Sequence, residues 1–415
     1  MTLIKTSVLT GISTIITVVS GFVINKVIAL YIGPSGLAVV GQLQNFMSIV
    51  TTFSNGAITS GIVKYTAEYQ TIEQKQKIFS SSIVISLVCS LIISIFLFGF
   101  SDYLSKLILK DIQYSSVFIV FGVTVFLFAL NTVLMSILNG QKEIKKYILV
   151  NIFSSIFSLF FTSFLIIELN LMGALYALVV NQSVIFFVTL VFVVKSDWFK
   201  LEYFNQGLDK ETLSKLSKYS LMALTSVLTV PVSHLIVRNY IGDNFGWDSA
   251  GYWQGLWYIS SMYLMLVTTT LSVYYLPKLS EIQDNRELKK EILYGYKIIL
   301  PIVIVVSLII FLLKEYIIVI AFSDKFKPMM ELFAWQLIGD IFKIASFVVA
   351  YYFVAKSKIQ QYIFVQIFFS FLFVLLSYYF CNELGLIGVT IAYMLNYLFC
   401  FFYCLYVVLK DLHVS

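Results

Sequence analysis

Shifted by 215 positions, the sequence falls on itself. Glu168-Leu169-Asn170-Leu171-Met172-Gly173 then lies on Glu383-Leu384-Gly385-Leu386-Ile387-Gly388, Tyr147-Ile148-Leu149-Val150 on Tyr362-Ile363-Phe364-Val365, Asn181 on Asn396 and Lys195 on Lys410. Across 147–195 this register holds without a gap and gives 17 identities in 49 positions. A shared bias toward Leu and Phe does not produce matched Glu, Gly, Asn and Lys. The period is far longer than the 20–50 residues of a solenoid, and it has the size of the duplicated halves from which many membrane transporters are built. Function is therefore sought between two related halves.

Those halves are too apolar for water. The chain is 60% hydrophobic and 12% charged, with a mean hydropathy of +0.91, against about 25% charged residues in a soluble domain. Tyr and Phe, 27 and 38 in number, suit a lipid-facing surface with its interfacial belts. Cys89, Cys381, Cys400 and Cys404 all fall in apolar runs and read as buried thiols, with neither a disulfide framework nor zinc spacing. From Lys5 an apolar run extends to about Ile32, longer than the core of a cleavable signal, so it is expected to be the first membrane helix.

A helical crossing needs roughly 20 apolar residues. Such stretches lie near 7–32, 36–62, 78–100, 115–138, 146–167 and 172–195, and again near 217–241, 249–277, 292–313, 328–354, 360–381 and 386–409. The expected fold is an all-α integral membrane protein of 12 transmembrane helices. Its domains are an N-terminal six-helix bundle over 1–195, a cytoplasmic linker over 196–216 and a C-terminal six-helix bundle over 217–415. Of the 28 Lys and Arg, twenty fall in the loops on the side of the N-terminus, five in the opposite loops and three inside spans. The positive-inside rule then puts both termini in the cytoplasm. Six crossings per half is an even number, so the two bundles share one orientation and are related by a pseudo-two-fold axis along the membrane normal. No exterior loop exceeds about 15 residues, which leaves no room for an outer domain.

Charge inside a span costs about 2.5–3.5 kcal/mol on insertion scales and marks candidate function. Lys26, Arg238, Asp340 and Lys343 are the residues concerned. Lys26 lies near the outer end of the first helix, beside a small and polar stripe of Ser7, Thr10, Thr14, Thr17, Gly21 and Asn25; snorkelling to headgroups also accounts for it. Arg238 falls within one turn of the Lys26 equivalent, and the two are expected to face a central cavity, where a guanidinium suits phosphate or carboxylate. His234, one turn earlier, is a candidate proton site or a plain core histidine, and Pro231 should kink the helix between. Asp340 and Lys343 share one helix face, either as a self-contained ion pair or as a substrate-responsive one. Their repeat partners at 125 and 128 are Val and Phe, so the tenth span alone breaks the symmetry with charge. Lys64 and Lys278 recur at the cytoplasmic ends of the second and eighth spans and frame a candidate entrance, although positive-inside anchoring explains them equally well. There is no nucleophile elbow, phosphate-binding glycine loop or metal-ligand cluster, and His413 is terminal. No catalytic residue, metal, cofactor or nucleic-acid partner is expected.

Several runs resemble the Wzx flippases of the multidrug/oligosaccharidyl-lipid/polysaccharide exporter superfamily. They are Phe333-Ala334-Trp335-Gln336-Leu337-Ile338-Gly339-Asp340-Ile341-Phe342-Lys343, Gly33-Pro34-Ser35-Gly36-Leu37, Gly61-Ile62-Val63-Lys64-Tyr65, Leu221-Met222-Ala223-Leu224-Thr225, Trp247-Asp248-Ser249-Ala250-Gly251-Tyr252-Trp253-Gln254 and Ser272-Val273-Tyr274-Tyr275-Leu276-Pro277-Lys278-Leu279-Ser280. The resemblance implies a V-shaped pair of bundles with a cationic lumen in the bacterial inner membrane. There it would move undecaprenyl-pyrophosphate-linked O-antigen units to the periplasmic leaflet by alternating access. By position, Lys26, Lys64, Arg238, Asp340 and Lys343 match the family's intramembrane charges. Partners implied are the lipid-linked oligosaccharide, membrane lipids, a coupling ion (proton or sodium), and a polymerase and chain-length regulator of the same pathway. The enterobacterial common antigen unit is the alternative substrate. A drug/cation antiporter of the same fold would prefer an acidic lumen, and a membrane glycan polymerase or ligase would need an outer catalytic loop.

Overall fold

Asn170 and Gly385, 215 residues apart, take the same rare backbone conformation in the computed structural model, with φ of +50° and +69° and ψ of −129° and −153°. Lys142 and Ser357 repeat the same spacing with φ of +59° and +54°. Gly173 and Gly388 repeat it a third time. A Cβ on Gly173 would lie 1.8 Å from the Leu165 carbonyl oxygen, and one on Gly388 would lie 2.2 Å from the Phe380 carbonyl. Only glycine permits so close a passage of one helix backbone past another. The duplication thus survives in the turns, where sterics leave fewest solutions.

The structure describes residues 3–414, and the side chains of 9–412 except 218, 219, 222, 270 and 273. Lys5, Ser7, Lys218, Met222, Val273 and His413 therefore lie outside the described side chains. Two compact units are present, Met1–Ile32 with Val39–Pro231 and Gly33–Ala38 with Val232–Ser415. These units are defined by packing, whereas 1–195 and 217–415 are defined by duplication; segment 196–216 and the first half of the next helix pack with unit 1.

Unit 1 contains α1 (Leu3–Tyr31), most of α2 (Gly33–Ser54), α3 (Thr59–Glu68), α4 (Ile72–Gly99), the short α5 (Ser101–Leu104), α6 (Ser115–Gly140), α7 (Ile144–Val194) and the start of α8 (Lys210–Phe245). Unit 2 takes the rest of α8, then α9 (Trp247–Thr270), α10 (Leu276–Glu281), α11 (Asn285–Leu312), α12 (Lys314–Ala321), α13 (Phe333–Ala355), α14 (Ile359–Leu384) and α15 (Ile387–Val414). Eight described helices are long and apolar enough to cross a membrane, and α2 with α3 makes a ninth, bent span. The 51-residue α7 folds back at Asn170 into two passages. With α8 and α9, each of the twelve expected stretches falls largely on helix, the second of them broken. Along α4, Leu91, Ile92 and Ile95 are more than 60% exposed, a surface that lipid and not water covers.

The second span departs from the expected unbroken 36–62. Asn55–Ile58 interrupts it, and α3 leaves α2 at 47°. Gly56 and Ala57 have φ of +66° and +57°. The Asn55 side-chain oxygen accepts the Ala57 amide at 3.0 Å, and the Gly56 carbonyl accepts the Ser220 hydroxyl at 2.8 Å. In the second half the corresponding positions open a π turn, Leu271–Tyr275. Interruptions of this kind gather at functional places in helices.

The segment between the halves is fastened to α4. Ser80 Oγ accepts the Gln206 amide at 2.9 Å and donates to the Gly207 carbonyl at 3.0 Å, while Phe79 packs on Trp198 and Phe204. Asp209 then caps α8 through the Thr212 amide and hydroxyl at 2.8 and 2.7 Å, and Asp284 caps α11 through the Arg286 and Glu287 amides at 2.7 and 2.9 Å. These bonds favour the ionised caps, so both carboxyls lie below the usual range, Asp209 through Thr212 and Asp284 chiefly through the Glu287 amide. An unfolded Asp titrates near ~3.9. The caps' contribution is therefore fully present above about pH 5 and is lost as pH falls through the lower folded values. The melting temperature in detergent should fall between about pH 5 and 3 by more in the wild type than in the Asp209→Asn/Asp284→Asn double variant. Parallel declines would remove the caps from this account.

Candidate functional site

On α9, Trp253, Trp257, Ser260 and Tyr263 follow one another at steps of four, three and three residues, which sets them on one helical face. Three other helices of unit 2 turn chemistry toward that face: His234 and Arg238 from α8, Asp340 and Lys343 from α13, and Tyr393 and Tyr397 from α15. All of these contacts lie inside unit 2.

Asp340 is fully buried at 0% exposure. Its Oδ2 accepts hydrogen bonds from Ser260 Oγ at 2.7 Å and Tyr263 Oη at 2.8 Å, and its Oδ1 accepts Tyr393 Oη at 2.8 Å. Ser260 in turn accepts from Gln336 Nε2 at 3.3 Å, one turn before Asp340 on α13. Gly339 is what lets Tyr393 approach, since a Cβ there would lie 2.4 Å from its ring. A carboxylate with three hydroxyl donors is satisfied without a cation.

Lys343 is 9% exposed, and its ammonium sits against aromatic faces instead of the acid one turn away. Nζ lies 4.4 Å from the Trp257 ring centroid, 5.6 Å from Tyr397, 5.9 Å from Tyr393 and 6.0 Å from Phe347. No ion pair joins it to Asp340 within 4 Å. Of the two readings left open by the spacing, the self-contained pair is thus not the one adopted. Both groups share a helix face, but α9 and α15 supply better partners for each.

Arg238 is 1% exposed. Its guanidinium lies 5.4 Å from the Trp253 ring centroid, and Nη2 donates to Gln254 Oε1. His234 touches both rings that face the cations: its imidazole accepts the Trp257 indole N–H at 2.5 Å and packs at 5.4 Å from Trp253 and 6.1 Å from Phe373. That bond occupies a ring lone pair and orients Trp257, the main support of Lys343. The result is two buried cations held by aromatic faces, with one acid nearby that hydroxyls have saturated. Such a site suits a multivalent anion that arrives carrying its own charge.

The other expected residues fall elsewhere. Lys26 is half-buried on α1 in unit 1, beside the buried Asn25. Lys64 is exposed on α3 with its ammonium 5.2 Å from the Tyr65 ring, and Lys278 is half-buried on α10. The network thus joins Arg238, His234, Asp340 and Lys343 and leaves out Lys278. Sequence reasoning did not single out Trp257, Ser260, Tyr263, Tyr393 or Tyr397. Their helical spacing was the available signal, and it reads equally as ordinary core.

Solved structures that superimpose on this chain include transporters of the multidrug/oligosaccharidyl-lipid/polysaccharide exporter superfamily. An inward-facing multidrug resistance MATE family transporter superimposes with a TM-score of 0.82 at 16% identity, covering 96% of each chain. The lipid II flippase MurJ, in an inward closed conformation, superimposes at 0.73 and 17% identity, covering 99% of this chain and 89% of that one. The protein therefore has a membrane transporter fold, and neither of these neighbours is an enzyme. A family model described as polysaccharide biosynthesis protein matches residues 27–331, and the chain belongs to that family. Among curated proteins it is 27% identical over 407 residues to the lipid III flippases of Escherichia coli (strain K12) and Shigella flexneri, covering 97% of either chain.

Proposed function

We propose that the protein is a flippase that carries an undecaprenyl-pyrophosphate-linked oligosaccharide of the lipid III, common-antigen type across the bacterial inner membrane by alternating access, with both termini cytoplasmic. The observation that carries this reading is the pair of buried, aromatic-held cations Arg238 and Lys343, in a chain alike to lipid III flippases along 97% of its length. Those relatives support the common-antigen unit over the O-antigen unit that the resemblance first suggested. Arg238 and Lys343 meet the pyrophosphate; Lys26, Lys64 and Lys278 are proposed as further cationic contacts along its route. A drug/cation antiporter of the same fold would need an acid free to change partners, whereas Asp340 holds three hydroxyls.

Arg238→Ala and Lys343→Ala should each lower transport at least ten-fold at matched protein level. Arg238→Lys should not rescue, because an ammonium cannot reproduce the planar guanidinium that faces Trp253 while donating to Gln254. The measurement is restoration of surface glycan in two strains, one lacking its common-antigen flippase and one its O-antigen flippase. Restoration of O-antigen alone contradicts the substrate proposed, and full activity of both alanine variants contradicts the site.

A further inference from the structure

Each unit contains a cavity, and the two cavities occupy the same residues of the duplication. In unit 2 a recess of about 210 Å³ is lined by Phe347, Ala350, Tyr351, Val354, Tyr362 and Gln366. Subtracting 215 from each number gives Thr132, Met135, Ser136, Asn139, Tyr147 and Asn151. All six line the cavity of unit 1, which is larger at about 370 Å³. The recess therefore belongs to the ancestral half, formed by α6 with α7 in one copy and α13 with α14 in the other.

The chemistry of the two has diverged. Where unit 2 presents Phe347, Tyr351 and Val354, unit 1 presents Thr132, Ser136 and Asn139. Only the aromatic ring and the amide are kept, as Tyr147 with Tyr362 and Asn151 with Gln366. Beyond the shared six, the unit 1 cavity reaches Thr59, Asn131, Ser154 and Gln182, and among the described residues none that lines it is charged. Its deepest amides are held in place: Asn131 Nδ2 donates to Gln182 Oε1 at 2.9 Å, and Asn131 Oδ1 accepts Thr189 Oγ1 at 2.6 Å. Polar groups inside a membrane bundle are costly unless they pair. Packing alone does not call for so many of them around open space, since the sister recess is filled largely by aromatic and aliphatic faces.

We propose that the unit 1 cavity is a subsite for one neutral pyranose of the transported glycan, an inference that rests on the flippase reading above. Neutral donors and acceptors on fixed amides match sugar hydroxyls and an N-acetyl group, and the Tyr147 ring offers a face to the sugar's C–H side. The volume lies in the range of small-ligand pockets.

The test uses the full chain in nanodiscs and two probes, undecaprenyl pyrophosphate without sugar and the same carrier bearing one N-acetylglucosamine. The wild type should bind the glycosylated carrier about ten-fold more tightly. Asn131→Leu and Asn151→Leu should erase that increment and keep the affinity for the bare carrier, whereas Arg238→Ala weakens both. Asn151 lies on the half-exposed wall of the cavity, so its variant decides the matter if Asn131→Leu does not fold. An unchanged increment in the Asn151→Leu variant, or a wild type that binds both carriers equally, overturns the subsite while the flippase reading stands. A wild type that binds neither carrier overturns the flippase reading and the subsite with it.

Discussion

Gly388→Ala is expected to eliminate the folded protein. The added methyl would sit 2.2 Å from the carbonyl carbon and oxygen of Phe380, where carbon atoms in contact stay about 3.5–4.0 Å apart. The obstacle is backbone, so no rotamer change relieves it, and α14 and α15 must separate at the turn that joins them. Overpacking usually costs about 1–3 kcal/mol and here should exceed that, a large share of the stability of a folded domain. Gly173→Ala meets the Leu165 carbonyl at 1.8 Å in the other copy and should fail in the same way. Gly11 supplies the control, since a Cβ there meets nothing within 4 Å, and alanine in a helix is favoured over glycine by roughly 0.5–1 kcal/mol. Fluorescence-detected size exclusion in detergent reads the result. A monodisperse Gly388→Ala peak at wild-type yield would contradict the close passage.

Asp340 is the second position with a large expected effect, and two substitutions separate its two roles. Asp340→Ala strips the acceptor from Ser260, Tyr263 and Tyr393 at once. Each buried group left unsatisfied costs about 1–3 kcal/mol, so a loss of about 3 kcal/mol or more is expected, with a lower melting temperature and little surface glycan. Asp340→Asn keeps the volume, and its amide can still pair with hydroxyls, so this variant should fold. What it lacks is the negative charge beside Lys343. An anion in the site is then repelled less, and should bind several-fold more tightly yet leave more slowly, lowering transport about ten-fold while affinity rises. Weaker binding in the Asp340→Asn variant would show that the carboxylate does not oppose the substrate in this way.

Much of the fold was legible because a duplication writes each constraint twice. Gly173 with Gly388 stood out as an identical pair, with Asn170 on Gly385 in the same register, and the structure gives the first a close helix passage and the second a shared positive φ. The break at Asn55–Ile58 was not legible. Its neighbours form one apolar run, and a positive φ at Ala57 has no compositional mark. At the site, the charged residues of α8 and α13 were visible because charge is rare inside a span, and Asp340 and Lys343 were rightly set on one face. Their partners were not visible. Which acid, hydroxyl or ring a buried charge meets is decided by other helices, and Trp257 or Tyr393 looks the same in sequence whether it packs a core or holds an ammonium. The unit 1 cavity was hidden for a related reason: Asn131, Asn151 and Gln182 are scattered single polar residues until the helices bring them around one space.

The way Lys343 is held has an electrostatic consequence. A salt bridge cancels its charge: seen from a few ångströms away, the pair is a dipole, and a passing ligand feels little. An aromatic ring offers only a quadrupole, whose field decays much more steeply with distance than that of a point charge. Four rings therefore give the Lys343 ammonium local comfort and almost no long-range neutralisation. Beyond their edges the rings leave the cation nearly whole, and what offsets its field is the Asp340 carboxylate one turn away on α13. The second half of the duplication thus keeps an ammonium and a carboxylate that rings and hydroxyls hold separately, where the first half has Phe128 and Val125.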